Sequence, residues 1–334
     1  MPVTVAIVGA GAWGTALALH LATRAAAAPR VRLIPRSAEQ ADAIRRAREN
    51  VRYLPGVALP ESLEVTADPN RLAAVDFLVV ATPVAALEEV ARTFASRGMR
   101  VPLVWLSKGF VAGDDGPALP HQRLASLWPA PVAVVSGPSF AEEVARGLPT
   151  ALAVAATAPG TAADVAALLR GDTLRAYETD DIAGVETGGA VKNVLAIAAG
   201  ASDGLGFGHN ARAALITRGL AETARLAVAL GGRRETMMGL AGLGDLVLTC
   251  TGDLSRNRRV GLALAKGRKL DEILAELGHV AEGVHAARAA RTLAARHGVD
   301  MPIAEAVDRA LYEDLPVRDA VAELLRREPR PEAH

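Results

Sequence analysis

The stretch that most constrains the fold is a glycine-rich turn directly after the first apolar run. Residues 3–8 predict a buried strand, and Gly9, Gly11 and Gly14 follow it in the spacing Gly-x-Gly-x-x-Gly. A helical pattern over residues 15–28 comes next. In such a turn the first glycine permits the tight bend, the second lets a pyrophosphate approach the backbone, and the third lets helix and strand pack closely. This placement favours a dinucleotide site over a purely structural turn.

Strand-like and helical patterns alternate up to about residue 180, and the alternation then stops. Strand-like runs cover residues 31–34, 77–81, 104–106, 132–135, 150–157 and 174–179, and residues 42–51 predict a solvated helix. Later patterns are helical, over residues 189–199, 211–230, 256–265, 270–277, 285–297 and 303–312, with Asn210 as a candidate N-cap. We therefore predict an α/β fold with a Rossmann-like, doubly wound dinucleotide-binding domain over residues 1–180. An all-α substrate and catalytic domain follows over residues 181–334.

Composition argues against several classes of protein. The 334 residues suffice for about two domains, and a formal net charge of zero argues against a dedicated nucleic-acid binder. The single cysteine, Cys250, suits a reducing compartment, and no Cys or His spacing suggests a metal site. No secretory signal is evident, and no uninterrupted apolar run is long enough to span a bilayer. We therefore expect a soluble cytoplasmic protein without a transmembrane segment.

The end of the second predicted strand bears on the choice of cofactor. Sites that prefer NAD usually place Asp or Glu about 20 residues after the glycines, where it binds the ribose 2′-hydroxyl. Here Pro35, Arg36 and Ser37 stand at the strand end, and no carboxylate does. A guanidinium can pair with a 2′-phosphate and stack on adenine, so Arg36 favours NADP(H), or use of both NADP(H) and NAD(H). The alternative is that Arg36 is an ordinary surface residue at a helix start.

Lysine is rare in this chain, and two lysines occur where chemistry is expected. Only four of the 37 Lys and Arg residues are lysines. Lys192 lies among glycines and small apolar side chains, and burial there would lower its pKa and let it act as a general base. Lys108 and Ser139 follow predicted strands, at the sheet edge where ligands bind. We expect these three in a cleft between the domains; the alternative is that Lys192 lies on a helix flank and reaches solvent.

Two polar elements of the helical part suit a small phosphorylated substrate. Asp245 ends a second glycine-rich stretch, residues 239–245, and can orient a lysine or bind a substrate hydroxyl. Ser255 can cap a helix whose first turn also carries Arg256 and Asn257, and such donors suit a phosphate. The alternative is a basic surface helix, although basic charge at a helix N-terminus opposes the helix dipole. A bound anion would resolve that conflict.

Several motifs, in one order, resemble the bacterial NAD(P)-dependent sn-glycerol-3-phosphate dehydrogenase family over nearly the whole chain. They are Gly-Ala-Gly-Ala-Trp-Gly-Thr-Ala at 9–16, Ser-Lys-Gly at 107–109, Ser-Gly-Pro-Ser-Phe-Ala at 136–141, Gly-Gly-Ala-Val-Lys-Asn-Val at 188–194, Ser-Asp-Gly-Leu-Gly-Phe-Gly-His-Asn at 202–210, Gly-Leu-Gly-Asp-Leu at 242–246, Ser-Arg-Asn-Arg-Arg at 255–259 and Val-Ala-Glu-Gly at 280–283. Together they are far more specific than any one of them.

The resemblance implies a role for each matching residue. Lys192 would be the general acid and base at the C2 oxygen of the substrate. The implied substrate pocket is lined by Lys108, Gly137, Ser139, Lys192, Asp245, Ser255, Arg256 and Asn257. The implied cofactor contacts, beside Gly9, Gly11 and Gly14, are Ala12, Trp13, Arg36, Tyr53, Lys108, Ala141, Arg256, Val280 and Glu282. Two positions depart from the commoner family pattern: Pro35 stands before the arginine, where many members have another residue, and Tyr53 replaces a basic residue expected nearby.

The resemblance also implies the reaction. Hydride would pass reversibly between NAD(P)H and dihydroxyacetone phosphate, giving sn-glycerol 3-phosphate for glycerophospholipid synthesis, while the substrate phosphate supplies remote binding energy. A dehydrogenase that acts on a β-hydroxy acid or on ketopantoate also needs a lysine in a helical domain, so it is an alternative to this assignment. A redox sensor that binds NADP(H) without turnover is disfavoured, because it needs neither Lys192 nor an anion pocket. A homodimer is compatible with the sequence, which does not fix the oligomeric state.

Overall fold

A computed structural model of the chain describes residues 2–24, 28–72, 74–277 and 281–328. Its strands are β1 (Thr4–Val8), β2 (Arg30–Ile34), β3 (Glu49–Asn50), β4 (Leu54–Ala58), β5 (Glu64–Val65), β6 (Phe77–Val80), β7 (Leu103–Trp105), β8 (Val132–Ser136), β9 (Thr150–Ala156) and β10 (Leu174–Thr179). Eight of them form one sheet in the order β10-β9-β8-β7-β6-β1-β2-β5, and β3 pairs with β4. The strand order reverses beside β1, and ligands of open α/β sheets bind at the carboxyl ends of the strands at such a point.

The helices follow the strands, and most belong to the second half of the chain. They are α1 (Ala12–Ala22), α2 (Ala38–Ala47), α3 (Leu87–Ser96), α4 (Pro120–Leu124), α5 (Ala141–Ala145), α6 (Thr161–Leu169), α7 (Ile182–Gly204), α8 (Gly208–Ala229), α9 (Asp245–Thr251), α10 (Arg256–Ala265), α11 (Leu270–Leu277), α12 (Glu282–His297), α13 (Pro302–Tyr312) and α14 (Val317–Arg326). A π-helical turn, Leu240–Gly244, leads into α9. The predicted fold class, a Rossmann-like α/β part followed by an all-α part, is confirmed.

The sheet is not parallel throughout. Strands β1, β2 and β5 to β8 are parallel, but β9 pairs antiparallel with β8, and β10 runs parallel to β9. The cause is the short helix α5, which packs against α1 instead of carrying the chain back across the sheet. The next strand therefore starts near the edge where β8 ends and runs in the opposite direction.

The first two helices begin earlier than the sequence pattern indicates. Helix α1 starts at Ala12, inside the glycine motif, and ends at Ala22 rather than at residue 28. Helix α2 was expected over residues 42–51, and that placement is wrong. It starts after Ser37, whose hydroxyl accepts a hydrogen bond from the Gln40 amide at 3.2 Å, and it ends at a left-handed Arg48. The N-cap bond, not the run of arginines, sets the position of this helix.

The central helix of the second half is longer than predicted. Instead of residues 189–199, α7 covers Ile182–Gly204, and the Asp181 side chain caps it by accepting from the Gly184 amide at 2.9 Å. Some of its glycines lie inside the helix at points where backbone of another element comes close. A Cβ on Gly188, for example, would lie 2.5 Å from the Ala241 carbonyl oxygen. The N-cap of α8 is Phe207 and not Asn210, which lies within the first turn.

Helix α7 is the core of the helical half. Its residues Val191, Val194 and Leu195 are fully buried in an apolar cluster that also takes in Phe110 and Leu119 from the first half of the chain. By length and composition α7 could cross a membrane, which the sequence pattern did not indicate, but 94% of the relevant window is buried inside the protein. Its apolar residues are therefore explained by packing.

Candidate active site

The glycine turn has the local geometry of a phosphate cradle. Gly9 has a φ of 109°, and a Cβ there would lie 2.8 Å from the Ala81 carbonyl. A Cβ on Gly14 would lie 2.0 Å from the Gly9 oxygen, so these two glycines are needed for packing. Gly11, the N-cap of α1, is different, because a Cβ there would meet nothing within 4 Å. The open backbone at Gly11 and the N-terminus of α1 can therefore accept a pyrophosphate.

The other predicted cofactor residues of the first half lie around the same turn. Two side-chain amides, those of Gln40 and Asn50, donate to the Ala10 carbonyl oxygen at 3.1 and 3.0 Å. These bonds attach to the turn the two segments that carry Arg36 and Tyr53. Ala12 and Trp13 are the first two residues of α1. The Arg36 side chain is exposed and Tyr53 is half-buried.

A basic side chain does lie beside Tyr53, although the sequence comparison with the family pattern suggested that one was missing. The Arg52 guanidinium carbon is 5.1 Å from the centre of the Tyr53 ring. This arrangement is a cation–π contact. Positive charge is thus present on both segments next to the turn, at Arg36 and at Arg52.

One buried carboxylate joins two lysines at the junction of the two halves. Lys192 Nζ donates to Asp245 Oδ1 and, at 3.0 Å, to Thr249 Oγ1. Lys108 Nζ donates to Asp245 Oδ2 at 2.6 Å and to the Gly137 carbonyl oxygen at 3.0 Å. Asp245 is 1% exposed and Lys192 is 8% exposed. Of the three residues expected in a cleft, Lys108 and Lys192 share Asp245, and the Ser139 hydroxyl shares the Gly137 carbonyl with Lys108, to which it donates at 2.9 Å.

The electrostatics of this cluster bring the pKa of Lys192 close to neutral pH. Burial lowers the pKa of Lys192 to about 8, helped by the Lys108 charge and opposed by Asp245. Burial alone would raise the pKa of Asp245, but the two ammonium groups outweigh it and hold that pKa below its ordinary value. Asp245 is therefore ionised at neutral pH, while Lys192 can both give and take a proton near that pH.

The predicted phosphate turn is formed at the start of α10, but its donors differ in availability. The Ser255 hydroxyl caps the helix by accepting from the Arg258 amide at 3.3 Å. Asn257 is partly committed, because its Nδ2 donates to Asn193 Oδ1 at 2.9 Å and its Oδ1 accepts from the Gly283 amide at 3.1 Å. Arg256 is exposed and makes no hydrogen bond to the described residues.

The remaining predicted cofactor residues are Glu282, Ala141 and Val280, and the structure describes the first two. Glu282 is the first residue of α12. Burial raises the pKa of its carboxyl, while the charge of Arg256 and a hydrogen bond from the Val84 backbone partly offset this rise. Ala141 begins α5 beside Ser139. Val280 lies outside the described residues. Since Val84 follows the end of β6, Glu282 links the helical half to the sheet edge that holds the glycine turn.

Sequence reasoning missed several polar residues of this site. Thr249 lies four residues after Asp245 on α9, a spacing that places both side chains on one helix face and could have indicated it. Asn193 follows Lys192 and donates to the Lys108 carbonyl oxygen at 3.4 Å. Glu186 is buried on α7 and bonded to His121, and nothing in the sequence pattern pointed to that pair.

Known proteins match this chain over nearly its whole length. Residues 4–162 match the N-terminal profile, and residues 181–322 the C-terminal profile, of NAD-dependent glycerol-3-phosphate dehydrogenase. A protein of Thiobacillus denitrificans named glycerol-3-phosphate dehydrogenase [NAD(P)+] is 55% identical, over 98% of both chains. One of the same name from Aromatoleum aromaticum is 56% identical, over 98% of this chain and 99% of its own.

Solved structures separate this family from the alternative dehydrogenases. The crystal structure of glycerol-3-phosphate dehydrogenase from Coxiella burnetii has a TM-score of 0.91 at 43% identity, and covers 97% of this chain and 99% of its own. A ketopantoate reductase from Ralstonia eutropha, at 15% identity and a TM-score of 0.56 over 97% of this chain and 100% of its own, shares the fold alone. The glycine turn, the two-lysine cluster and the α10 turn thus lie in a chain that belongs to the NAD-dependent glycerol-3-phosphate dehydrogenase family.

Proposed function

We propose that this chain is an oxidoreductase that transfers hydride reversibly between NAD(P)H and dihydroxyacetone phosphate, giving sn-glycerol 3-phosphate. The observation that carries the proposal is the buried Lys192–Asp245–Lys108 cluster beside the α10 turn, in a chain 55% identical to an enzyme of this name. The product is a building block of glycerophospholipids, so the reaction would serve their synthesis.

In the reduction, the chain's own residues handle the proton and hold the substrate. The Lys192 ammonium gives its proton to the carbonyl oxygen at C2, and the neutral amine takes it back in the reverse direction. Asp245 keeps Nζ in place throughout, because its carboxylate stays ionised beside the Lys108 ammonium and can still accept a hydrogen bond from the neutral Lys192 amine. Lys108, Gly137, Ser139, Ser255, Arg256 and Asn257 line the pocket, and the phosphate on the α10 turn positions the reacting carbon.

The cofactor would bind across the carboxyl edge of the sheet. When bound, the nicotinamide supplies or accepts the hydride. The pyrophosphate fits the open backbone at Gly11 between the packed Gly9 and Gly14, with Ala12 and Trp13 at the helix start. Arg36 and Tyr53 would contact the adenosine end, and Lys108, Ala141, Arg256, Val280 and Glu282 the rest. The exposed Arg36 supports NADP(H) as the preferred cofactor, with NAD(H) also used.

The oligomeric state and the location belong to the same proposal. An apolar cavity of about 790 Å³ lies between α7, α8, α13 and α14. The exposed side chains of Phe207 and Leu325 line it, and a two-fold axis would let each copy place such side chains in the groove of the other. This supports a homodimer, which light scattering of the purified protein would test.

The buried free Cys250 supports a cytoplasmic location. We place the domain boundary between residues 180 and 181.

The decisive experiment follows cofactor oxidation by its nicotinamide absorbance with dihydroxyacetone phosphate as substrate. NADPH and NADH are compared at equal concentration, and ketopantoate serves as the control substrate. Turnover with dihydroxyacetone phosphate alone is expected. Turnover with ketopantoate, or none with either substrate, would contradict the assignment.

A further inference from the structure

A loop of the first half of the chain crosses onto the helical half directly after Lys108. This strap, residues 109–119, buries Phe110 and Leu119 in the apolar cluster around α7. Residues Val111 and Ala118 pair across it, with backbone hydrogen bonds of 3.0 Å in both directions. The position of Lys108 therefore depends on how the strap sits on the helical half.

Helix α7 contacts the two ends of the strap. At the first end, Asn193 donates to the Lys108 carbonyl oxygen at 3.4 Å. At the far end, the Glu186 carboxylate accepts from the His121 amide at 2.9 Å, and its second oxygen is bonded to His121 Nδ1 at 2.5 Å. Glu186 is 4% exposed, so this contact is made in the interior, without competition from water.

The Glu186–His121 contact satisfies a need of the local backbone. His121 lies in the first turn of α4, which starts with Pro120, and its N–H has no partner within that helix. The carboxylate on α7 supplies this partner from another element. The same side chain lines a small space together with Ser107, Lys108 and Gly189, so it packs directly behind the strand end that carries Lys108.

We propose that Glu186 and His121 are positioning residues that set Lys108 against Asp245 by clamping the strap to α7. Lys108 comes from the sheet half, whereas Asp245 and Lys192 come from the helical half, so their 2.6 Å contact requires the two halves to be held in register. Neither Glu186 nor His121 touches the lysine cluster. The inference rests on the proposed function, because Lys108 is taken as a substrate ligand.

A matched control is available in another buried glutamate. Glu222 on α8 accepts from the backbone amides of Ile303 and Ala304 at 2.9 and 3.3 Å, at the start of α13, which also begins with a proline. It caps a helix as Glu186 does, but it contacts neither the strap nor the lysines. A purely structural role for Glu186 predicts that the two glutamates behave alike.

The experiment compares Glu186→Ala, Glu186→Gln, His121→Ala and Glu222→Ala in steady-state assays at a temperature below every variant's unfolding transition. We expect Glu186→Ala to lower kcat/KM for dihydroxyacetone phosphate by about tenfold or more, since small misplacements of a substrate ligand are costly. The KM for NADPH should change by a smaller factor than kcat/KM for dihydroxyacetone phosphate, because Lys108 is the cofactor contact next to the strap, whereas the glycine turn and Arg36 are held by other elements. Glu186→Gln keeps an acceptor oxygen for the His121 amide and should restore most of the loss.

The outcomes separate the two proposals. If Glu186→Ala does not fold, His121→Ala removes the ring contact but keeps the backbone bond, so it should lower kcat/KM for dihydroxyacetone phosphate by less than about tenfold and yet by more than Glu222→Ala does. Equal losses in Glu186→Ala and Glu222→Ala, or an unchanged kcat/KM for dihydroxyacetone phosphate in folded Glu186→Ala and His121→Ala, would overturn the positioning role while leaving the activity assigned. A wild-type enzyme without turnover would defeat the proposed function, and this inference would fall with it.

Discussion

Replacing Lys192 by alanine removes the group to which the proposal assigns the proton. The variant should still fold, because Asp245 keeps one cation: Lys108 Nζ remains 2.6 Å from its Oδ2. Breaking a buried ion pair completely is strongly destabilising, whereas here the carboxylate stays paired. A loss of activity in a folded Lys192→Ala enzyme can therefore be assigned to the missing ammonium.

The size of the loss follows from the surroundings of Nζ. General acid–base help is worth about 10²–10⁴ in rate, or about 3–5 kcal/mol of barrier. Lys108 shares the same carboxylate and can polarise the substrate oxygen in part, so we place the loss in kcat at about 10²–10³. The effect should appear mainly in kcat, because the phosphate contacts on α10 are untouched.

The pH dependence supplies a second, independent signature. With a Lys192 pKa of about 8, about nine-tenths of the ammonium is present at pH 7 and about one-tenth at pH 9. Reduction needs the protonated form and should fall as pH rises through 8, whereas oxidation of glycerol 3-phosphate needs the free amine and should rise over the same range. In Lys192→Ala this limb should disappear in both directions.

The assay is single-turnover or steady-state cofactor oxidation across this pH range, with Lys266→Ala as the control. Lys266 ends α10 on the surface, so its loss changes the overall charge equally without touching the site. A Lys192→Ala enzyme with near-normal kcat, or with the wild-type pH limb, would refute the role given to this lysine.

Four further substitutions test other parts of the structure. Arg36→Ala should lower kcat/KM for NADPH by about tenfold and leave that for NADH within about twofold, since it removes one phosphate partner; an unchanged NADPH to NADH ratio would contradict its role. Gly14→Ala should lower the melting temperature strongly, because its Cβ would overlap the Gly9 oxygen, whereas Gly11→Ala should fold normally and weaken NADPH binding in a titration. Burial raises the pKa of Glu222 to about 7, so between the unfolded value and 7 the folded state binds more protons and wild-type stability should fall as pH rises. Glu222→Gln should flatten this slope, by up to about 3 kcal/mol in the free energy of unfolding between pH 4 and 8, as measured with urea.

The fold could be predicted where one local rule dominated, and could not where tertiary contacts decided. The spacing of Gly9, Gly11 and Gly14 after an apolar run predicted that a strand and then a helix open the chain, although not where the helix begins and ends. The direction of β9 depended on α5 packing against α1, and the length of α7 depended on backbone close enough to touch Gly188. Such contacts join residues far apart in the chain, so the local sequence pattern of α7 or β9 cannot predict them.

The sequence predicted the charged residues of the candidate site, but it did not predict how they pair or which residues position them. Lys192 and Lys108 stood out because lysine is rare here, and Asp245 because it ends a glycine-rich stretch. That Asp245 binds both lysines at once could not be read from the sequence, since 137 and 53 residues separate the partners. Glu186 gave no signal at all, because a single glutamate in an apolar helix resembles any other until its partner His121 is seen.

The cluster of two lysines and one carboxylate explains why arginine, so abundant in this chain, cannot serve at position 192. A guanidinium would pair with Asp245 at least as well, but it does not lose its proton at any accessible pH. Lysine does so here only because three effects are balanced: burial and the Lys108 charge push the pKa down, and Asp245 limits the fall. With Lys192 protonated the cluster carries one net positive charge in the interior, which a phosphorylated substrate can neutralise. Binding of such a dianion would favour the charged lysine, so the substrate itself would help to load the proton that its reduction consumes.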